Sequence, residues 1–112
     1  MINLNDITTD QGDTFNDFSS LGQYSYLNRA AIYIIWTNLN QPNRYQILYI
    51  GQSGQTGTRL DATHHKYQCW VNHSNGNLYV AFWWMPSNQF SEQQRKTSEQ
   101  NLIQKYNPIC NG

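Results

Sequence analysis

Charged residues are scarce in this chain, 12% of 112 positions, and seven basic residues balance seven acidic ones. That neutrality excludes long polybasic or polyacidic tails as the basis of function. The chain has only two cysteines, Cys69 and Cys110. They lack the CxxC spacing of a zinc site and are too few for a disulfide scaffold. The expectation is buried or incidental thiols in a reducing compartment. The longest apolar run, Ala30 to Trp36, falls far short of the roughly 20 residues of a membrane span. The start, Met-Ile-Asn-Leu-Asn-Asp, shows no charged segment followed by an apolar one, so no signal peptide is read there. Together these absences give the expectation of a soluble, cytoplasmic protein with no membrane partner.

Aromatic residues, by contrast, are plentiful: four Trp, eight Tyr and four Phe. With abundant Asn and Gln they favour one folded domain with a polar surface over disorder. The charges are unevenly placed. Asp6, Asp10, Asp13 and Asp17 precede any basic residue, whereas from residue 18 onward seven basic face three acidic, a balance of +4. A polyanionic partner is compatible with that body.

Residues 1–29 form an irregular amino-terminal arm, in which Phe15, Phe18 and Leu21 have the spacing of one short helix. Residues 30–112 form the domain. Ala31 to Trp36 and Tyr45 to Ile50 read as β-strands, joined by a turn-rich loop as an antiparallel hairpin. If the register sets Tyr33 near Tyr49, both phenols leave the same face, and a one-residue slip separates them. Arg59 to about Val71 reads as a helix with Leu60, Thr63, Tyr67 and Trp70 on one stripe. Leu78 to Met85 is an apolar strand. Ser91 to Tyr106 is a helix capped by Ser91 and stopped by Asn107-Pro108. The order ββαβα predicts a small α/β sandwich, with helices flanking a three-stranded antiparallel sheet.

The stretch Leu48 to Leu60, LYIGQSGQTGTRL, runs from a strand end through three glycines to Arg59. It lacks the lysine and spacing of a P-loop, but a guanidinium there matches phosphate oxygens. Glu99 lies three and four positions before Leu102 and Ile103, on the inward face of the last helix. A carboxylate so placed must be paired, protonated or bound to a metal. His64 and His65 adjoin on the preceding helix and point in different directions. No third ligand accompanies them at zinc spacing.

Taken in order, these residues resemble the GIY-YIG nuclease family. Ala31-Ile32-Tyr33 stands at the first tripeptide, and Tyr49-Ile50-Gly51 matches the second. Arg59 follows Tyr49 by ten residues, the His64-His65 doublet occupies the histidine region, and Glu99 with Leu102, Ile103 and Tyr106 resembles the closing helix. Pro108 and Asn111 match a Pro-x-x-Asn ending. Two departures stand out: Ala31 replaces a glycine, and His64 lies five rather than four residues beyond Arg59.

The resemblance implies a metal-dependent endonuclease acting on DNA, with RNA as an open substrate. Mg²⁺ or Mn²⁺ would be held by Glu99, with Tyr33 as general base and Tyr49 bonded to the water or phosphate. Arg59 would clamp the phosphate, and His64 or His65 would assist Tyr33. Gly51 and Asn111 would support the site structurally. A homodimer would be one route to double-strand cleavage. Lys66, Arg95, Lys96 and Lys105 are candidate backbone contacts. Two other readings remain: a catalytically silent nucleic-acid-binding module, and an interaction domain whose acidic arm shields the site.

Overall fold

In the computed structural model the described residues are 7–9, 11–21, 30–39, 45–54 and 64–111. Strand β3 (Ala31–Asn38) is buried along nearly its whole length and lies between β4 (Tyr45–Ser53) and β5 (Tyr79–Trp84), antiparallel to both. The three-stranded expectation stops there and is wrong. β2 (Thr14–Ser20) pairs antiparallel with β5, and β1 (Ile7–Thr8) pairs with β2. The described strands form one five-stranded antiparallel sheet in the order β1-β2-β5-β3-β4. The sheet curls, and the Tyr45 hydroxyl of β4 donates to the Thr8 carbonyl at the end of β1. The architecture is a curled antiparallel sheet with two helices, not a ββαβα sandwich.

The amino-terminal arm is therefore part of the sheet. Its near-helical spacing has a β explanation. Asn16 pairs with Phe82 and Ser19 with Val80, so β2 carries one extra residue between them. Such a bulge resets the alternation of a strand. It lets Phe15 and Phe18, three apart, contribute to the same cluster. Asp13 accepts from Lys105 Nζ at 2.7 Å and from the Tyr106 hydroxyl. Burial alone would raise the Asp13 pKa, but these two partners hold it below its usual value. Lys105 and Tyr106 end α2 (Glu92–Tyr106), about two helical turns from Glu99. Asp13 is committed there, and so it does not shield the region of Glu99.

Apolar residues fill both faces. On one face Ile32, Ile34, Trp36, Ile50 and Ala81 pack with Phe15 and with Leu102 of α2. On the other, Ala31, Tyr33, Ile35, Val80 and Phe82 pack with Trp70 of α1 (Tyr67–His73). Ser91 and Gln94 form a reciprocal capping box at the start of α2. Asn107 ends it in the left-handed conformation, φ 46°, before Pro108. Helix α1 begins at Tyr67 with Lys66 at its N-cap, so His64 and His65 lie in the bend and turn before it and not on the helix expected from Arg59 to Val71; Arg59 itself lies outside the described residues.

Cys69 and Cys110 are joined in a disulfide, with Cα atoms 5.9 Å apart across 41 residues of sequence. The expectation of two unpaired thiols is corrected. The bond ties α1 to the short 3-10 turn Ile109–Asn111. Neither cysteine has a partner nearby in sequence, so nothing local signals the pair.

Candidate active site

The β3–β4 register decides where the two phenols go. Tyr33 lies opposite Gly51, and Tyr49 lies opposite Ile35. Tyr33 and Tyr49 are therefore diagonal neighbours on one face, not a direct pair. Their ring centroids are 6.1 Å apart, and the two hydroxyls hydrogen-bond to each other.

Gly51 is what makes room for this. A Cβ on Gly51 would sit 2.5 Å from Tyr33 Cζ and Oη and 2.9 Å from Tyr49 Cε2. The Tyr33 ring lies across the backbone at this position, so a side chain there would push it away. Gly51→Ala is expected to cost about 1–3 kcal/mol through overpacking. Gly54→Ala, whose Cβ would meet, among the described residues, Arg95 Nη2 at 3.8 Å, should stay within about 0.5 kcal/mol. Urea unfolding of the two variants side by side checks both values.

His64 meets the pair from the turn before α1. Its Nε2 is 3.0 Å from Tyr33 Oη, and its Nδ1 accepts the Lys66 backbone N–H at 3.0 Å. Because Nδ1 is occupied as an acceptor, the proton of the neutral ring is assigned to Nε2, which donates to Tyr33. Buried Trp70 supports the imidazole, with centroids 4.4 Å apart, and also contacts Tyr49 at 5.6 Å. His65 is exposed and stacks on the outer side of His64 at 4.5 Å. Of the doublet, His64 is the residue that touches the phenols by hydrogen bond.

Glu99 arrives from α2 at the open edge of β4. Its carboxylate accepts the Gln52 backbone N–H, and its charge is felt at both Tyr33 and Tyr49. Partial burial pushes the Glu99 pKa above the usual carboxylate value, although Gln100, the Gln52 N–H and Lys96 work against this. Tyr33 is pushed well above a normal phenol, first by burial and then by Tyr49 and the Glu99 charge. Tyr49 is raised for similar reasons, less the hydrogen bond from Tyr33, which lowers it. The hydrogen bonds therefore run from His64 to Tyr33 to Tyr49.

Asn111 caps the same edge. Its Oδ1 accepts the Ile50 N–H at 2.9 Å and its Nδ2 donates to the Ile50 carbonyl at 2.8 Å. The side-chain amide thus mimics one further strand residue and satisfies groups that an edge strand leaves open. Its role in this structure is to dock the chain end against Tyr49-Ile50-Gly51. Tyr33, Tyr49, Gly51, His64, Glu99 and Asn111 are brought together around the end of β4. Arg59 lies outside the described residues.

Three supporting residues carried no assigned site role in the sequence reading. Trp70 appeared there only as one member of an apolar stripe. Gln52 gave no signal, because its contribution to Glu99 is a backbone N–H. Arg95 was read as a backbone contact and is instead 5% exposed. Its Nη1 donates to the carbonyls of Phe90 at 3.2 Å and Met85 at 3.4 Å, stapling the loop between β5 and α2. Lys96 pairs with Glu92 at 3.4 Å.

Among the described residues no cluster of three or more His, Cys, Asp or Glu side chains could hold a metal ion. The donor chemistry nevertheless fits Mg²⁺. That ion keeps several waters and needs only one or two carboxylates, with substrate phosphate oxygens completing the shell. Glu99, half-buried beside two phenols, is one such carboxylate. No protein-family model, curated protein or solved structure matches the chain. No helix among the described residues is long and apolar enough to cross a membrane.

Proposed function

We propose that the chain is a metal-dependent endonuclease that hydrolyses phosphodiester bonds of nucleic acid, DNA in the first instance. The observation that carries this reading is the convergence of Tyr33 of β3, Tyr49 of β4, His64 of the turn before α1 and Glu99 of α2 at one end of β4. The raised pKa values of Tyr33, Tyr49 and Glu99 within it support an acid–base role, because burying titratable groups side by side is unfavourable for folding alone.

Tyr33 would take the proton from the attacking water. As a buried phenol next to negative charge it is protonated at neutral pH, so it needs groups that favour its anion. His64 is one of them: Nε2–H donates to the phenol oxygen at 3.0 Å, a bond that strengthens as that oxygen gains charge. Tyr49, its ring centroid 6.1 Å from that of Tyr33, would donate its hydroxyl to the attacking water or to the phosphate and orient it. Arg59 keeps the phosphate-clamp role expected from the sequence. Mg²⁺ or Mn²⁺ held by Glu99 would neutralise charge building on the phosphate and on the leaving oxygen. Trp70 holds His64 and Tyr49 at fixed separation and takes no part in proton transfer.

The rival reading is a silent nucleic-acid-binding module. It draws support from the neutral total charge and from Ala31 standing where the family pattern has a glycine. Nicking of supercoiled plasmid separates the two. Cleavage is expected with Mg²⁺ or Mn²⁺ and not with EDTA, and Glu99→Ala is expected to lower it at least ~100-fold, as loss of a metal ligand does. Cleavage that survives Glu99→Ala, or salt-sensitive binding with no cleavage under either metal, sinks the enzymatic reading.

A further inference from the structure

Among the described residues Arg95 is the only buried side chain that carries a charge. Its Nη1 donates to the carbonyls of Phe90 and Met85 and, at 3.5 Å, to the Ser87 hydroxyl. Its Nε is sealed from solvent and has no hydrogen-bond partner. These contacts orient the guanidinium without neutralising it, since carbonyls and hydroxyls carry no net charge. The ion pairs among the described residues are Lys96–Glu92 and Lys105–Asp13, and Arg95 belongs to neither. Glu99, one turn further along α2, has its carboxylate on the Gln52 N–H and beside Lys96. A guanidinium does not shed its proton to escape burial, so the charge stays. Without an opposite charge, a buried one works against folding.

The third nitrogen shows where that opposite charge can stand. A Cβ on Gly54 would lie 3.8 Å from Arg95 Nη2 and, among the described residues, would meet no other atom within 4 Å. Gly54 is exposed, and it has no side chain to cover Nη2. We propose that Arg95 Nη2 and the backbone at Gly54 frame a site for one monatomic anion, a halide such as chloride, which supplies the counter-charge. The size follows from the nitrogens that remain. A carboxylate or phosphate gains its strength by forking across two of them. Here Nη1 is held by carbonyls and Nε is shut away, so one point of contact is left, and that suits a single-atom ion.

At 5% exposure the guanidinium also lies too deep for a polymer backbone to track. The site uses neither Tyr33 nor Glu99 and stands apart from the nuclease reading. Its consequence is for stability. An anion that binds the folded chain and not the unfolded one stabilises the fold with the logarithm of its concentration, once the site fills. Screening of exposed pairs, by contrast, depends on ionic strength and not on which anion supplies it. Exchanging one anion for another at fixed ionic strength therefore separates binding from screening.

The test is thermal unfolding of the full chain at fixed pH and ionic strength, with sodium chloride exchanged stepwise for sodium gluconate, whose anion is too large for the site. The melting temperature should climb by roughly 5 °C for each tenfold of chloride once the site fills. Arg95→Met removes the charge and should erase that response. Gly54 does not use the left-handed backbone, so it accepts a side chain, and Gly54→Asp brings a carboxylate within reach of Nη2. Gly54→Asp should melt higher in gluconate than Gly54→Asn, which matches it in size without the charge, and should no longer respond to chloride. The chloride NMR line, broadened by exchange at the site in the unaltered protein, should narrow with Gly54→Asp. That measurement keeps the proposal open to refutation if Arg95→Met does not fold. A melting temperature indifferent to replacing chloride by gluconate overturns the proposal. So does a chloride response that Gly54→Asp retains, or a chloride line no broader with the unaltered protein than with Gly54→Asp.

Discussion

Replacing Cys69 and Cys110 by serine, or reducing the intact protein, should lower its stability by about 3–4 kcal/mol. The disulfide closes a 41-residue separation, and in the chain-entropy picture a loop of that length constrains the unfolded state by roughly that much. For a domain of this size the melting temperature should fall by roughly 10–15 °C. Calorimetry with and without dithiothreitol, beside the double serine variant, measures it. Thiols that react fully in the native protein, with a melting temperature indifferent to reductant, would contradict the bond.

The loss should not be uniform. Helix α1 has seven residues and no side-chain hydrogen bond at its N-cap, too little to be stable by itself. It is held by burial of Trp70 and by the bond from the adjacent Cys69. At the other sulfur, Cys110 precedes Asn111, which clamps Ile50. Reduction therefore loosens the supports of His64 and of the β4 edge together. Amide exchange should rise first in 67–73, and nicking should fall more than the loss of folded protein explains. The pair also removes the ground on which a reducing compartment was inferred, since lasting disulfides belong to oxidising surroundings.

What the sequence disclosed about the fold followed the strength of local patterns. β3, β4 and β5 are apolar or β-branched runs between turn residues, and α2 has a cap, a stripe and a stop. These were readable. β2 was not: Thr-Phe-Asn-Asp-Phe-Ser-Ser is mostly polar, and its bulge gives Phe15 and Phe18 the interval of a helix. Its partner β5 lies some sixty positions away in sequence, so pairing depends on tertiary contact. That pairing turned an expected three-stranded sheet into a five-stranded one.

The candidate site was more legible, because its residues have few other reasons to be where they are. Tyr49-Ile50-Gly51 and Glu99 were visible in the sequence. The doublet His64-His65 was ambiguous until the Tyr33 and Lys66 hydrogen bonds distinguished its members. Gly51 has a reason that only the register supplies, the Tyr33 ring lying across it. Arg95 could not be read correctly. A cation in sequence looks like a phosphate contact, and only the fold shows it spent on the carbonyls of Met85 and Phe90.

Tyr33→Phe should lower cleavage by about 10²–10⁴-fold at neutral pH, the usual worth of a general base. The pH profile is the sharper readout. Burial and neighbouring charge raise the Tyr33 pKa, so its anion is the minor form and grows tenfold with each pH unit. The logarithm of kcat/KM should therefore climb with slope about 1 from neutral into alkaline solution. Glu99 is also raised, by burial first. It must lose its proton to hold a cation, so activity falls again as pH drops through its pKa. That break should lie above the ordinary carboxylate value, with a slope near 2 below it, where two protons must leave. Tyr33→Phe should abolish the alkaline climb and keep the acid break. His64→Ala removes the donor to the phenol oxygen, so its deficit should be larger at pH 7 than in alkaline solution, where the anion forms without help. A Tyr33→Phe enzyme with the unaltered profile would move the base to another group, and Tyr49, which accepts from Tyr33, would be the residue to test next.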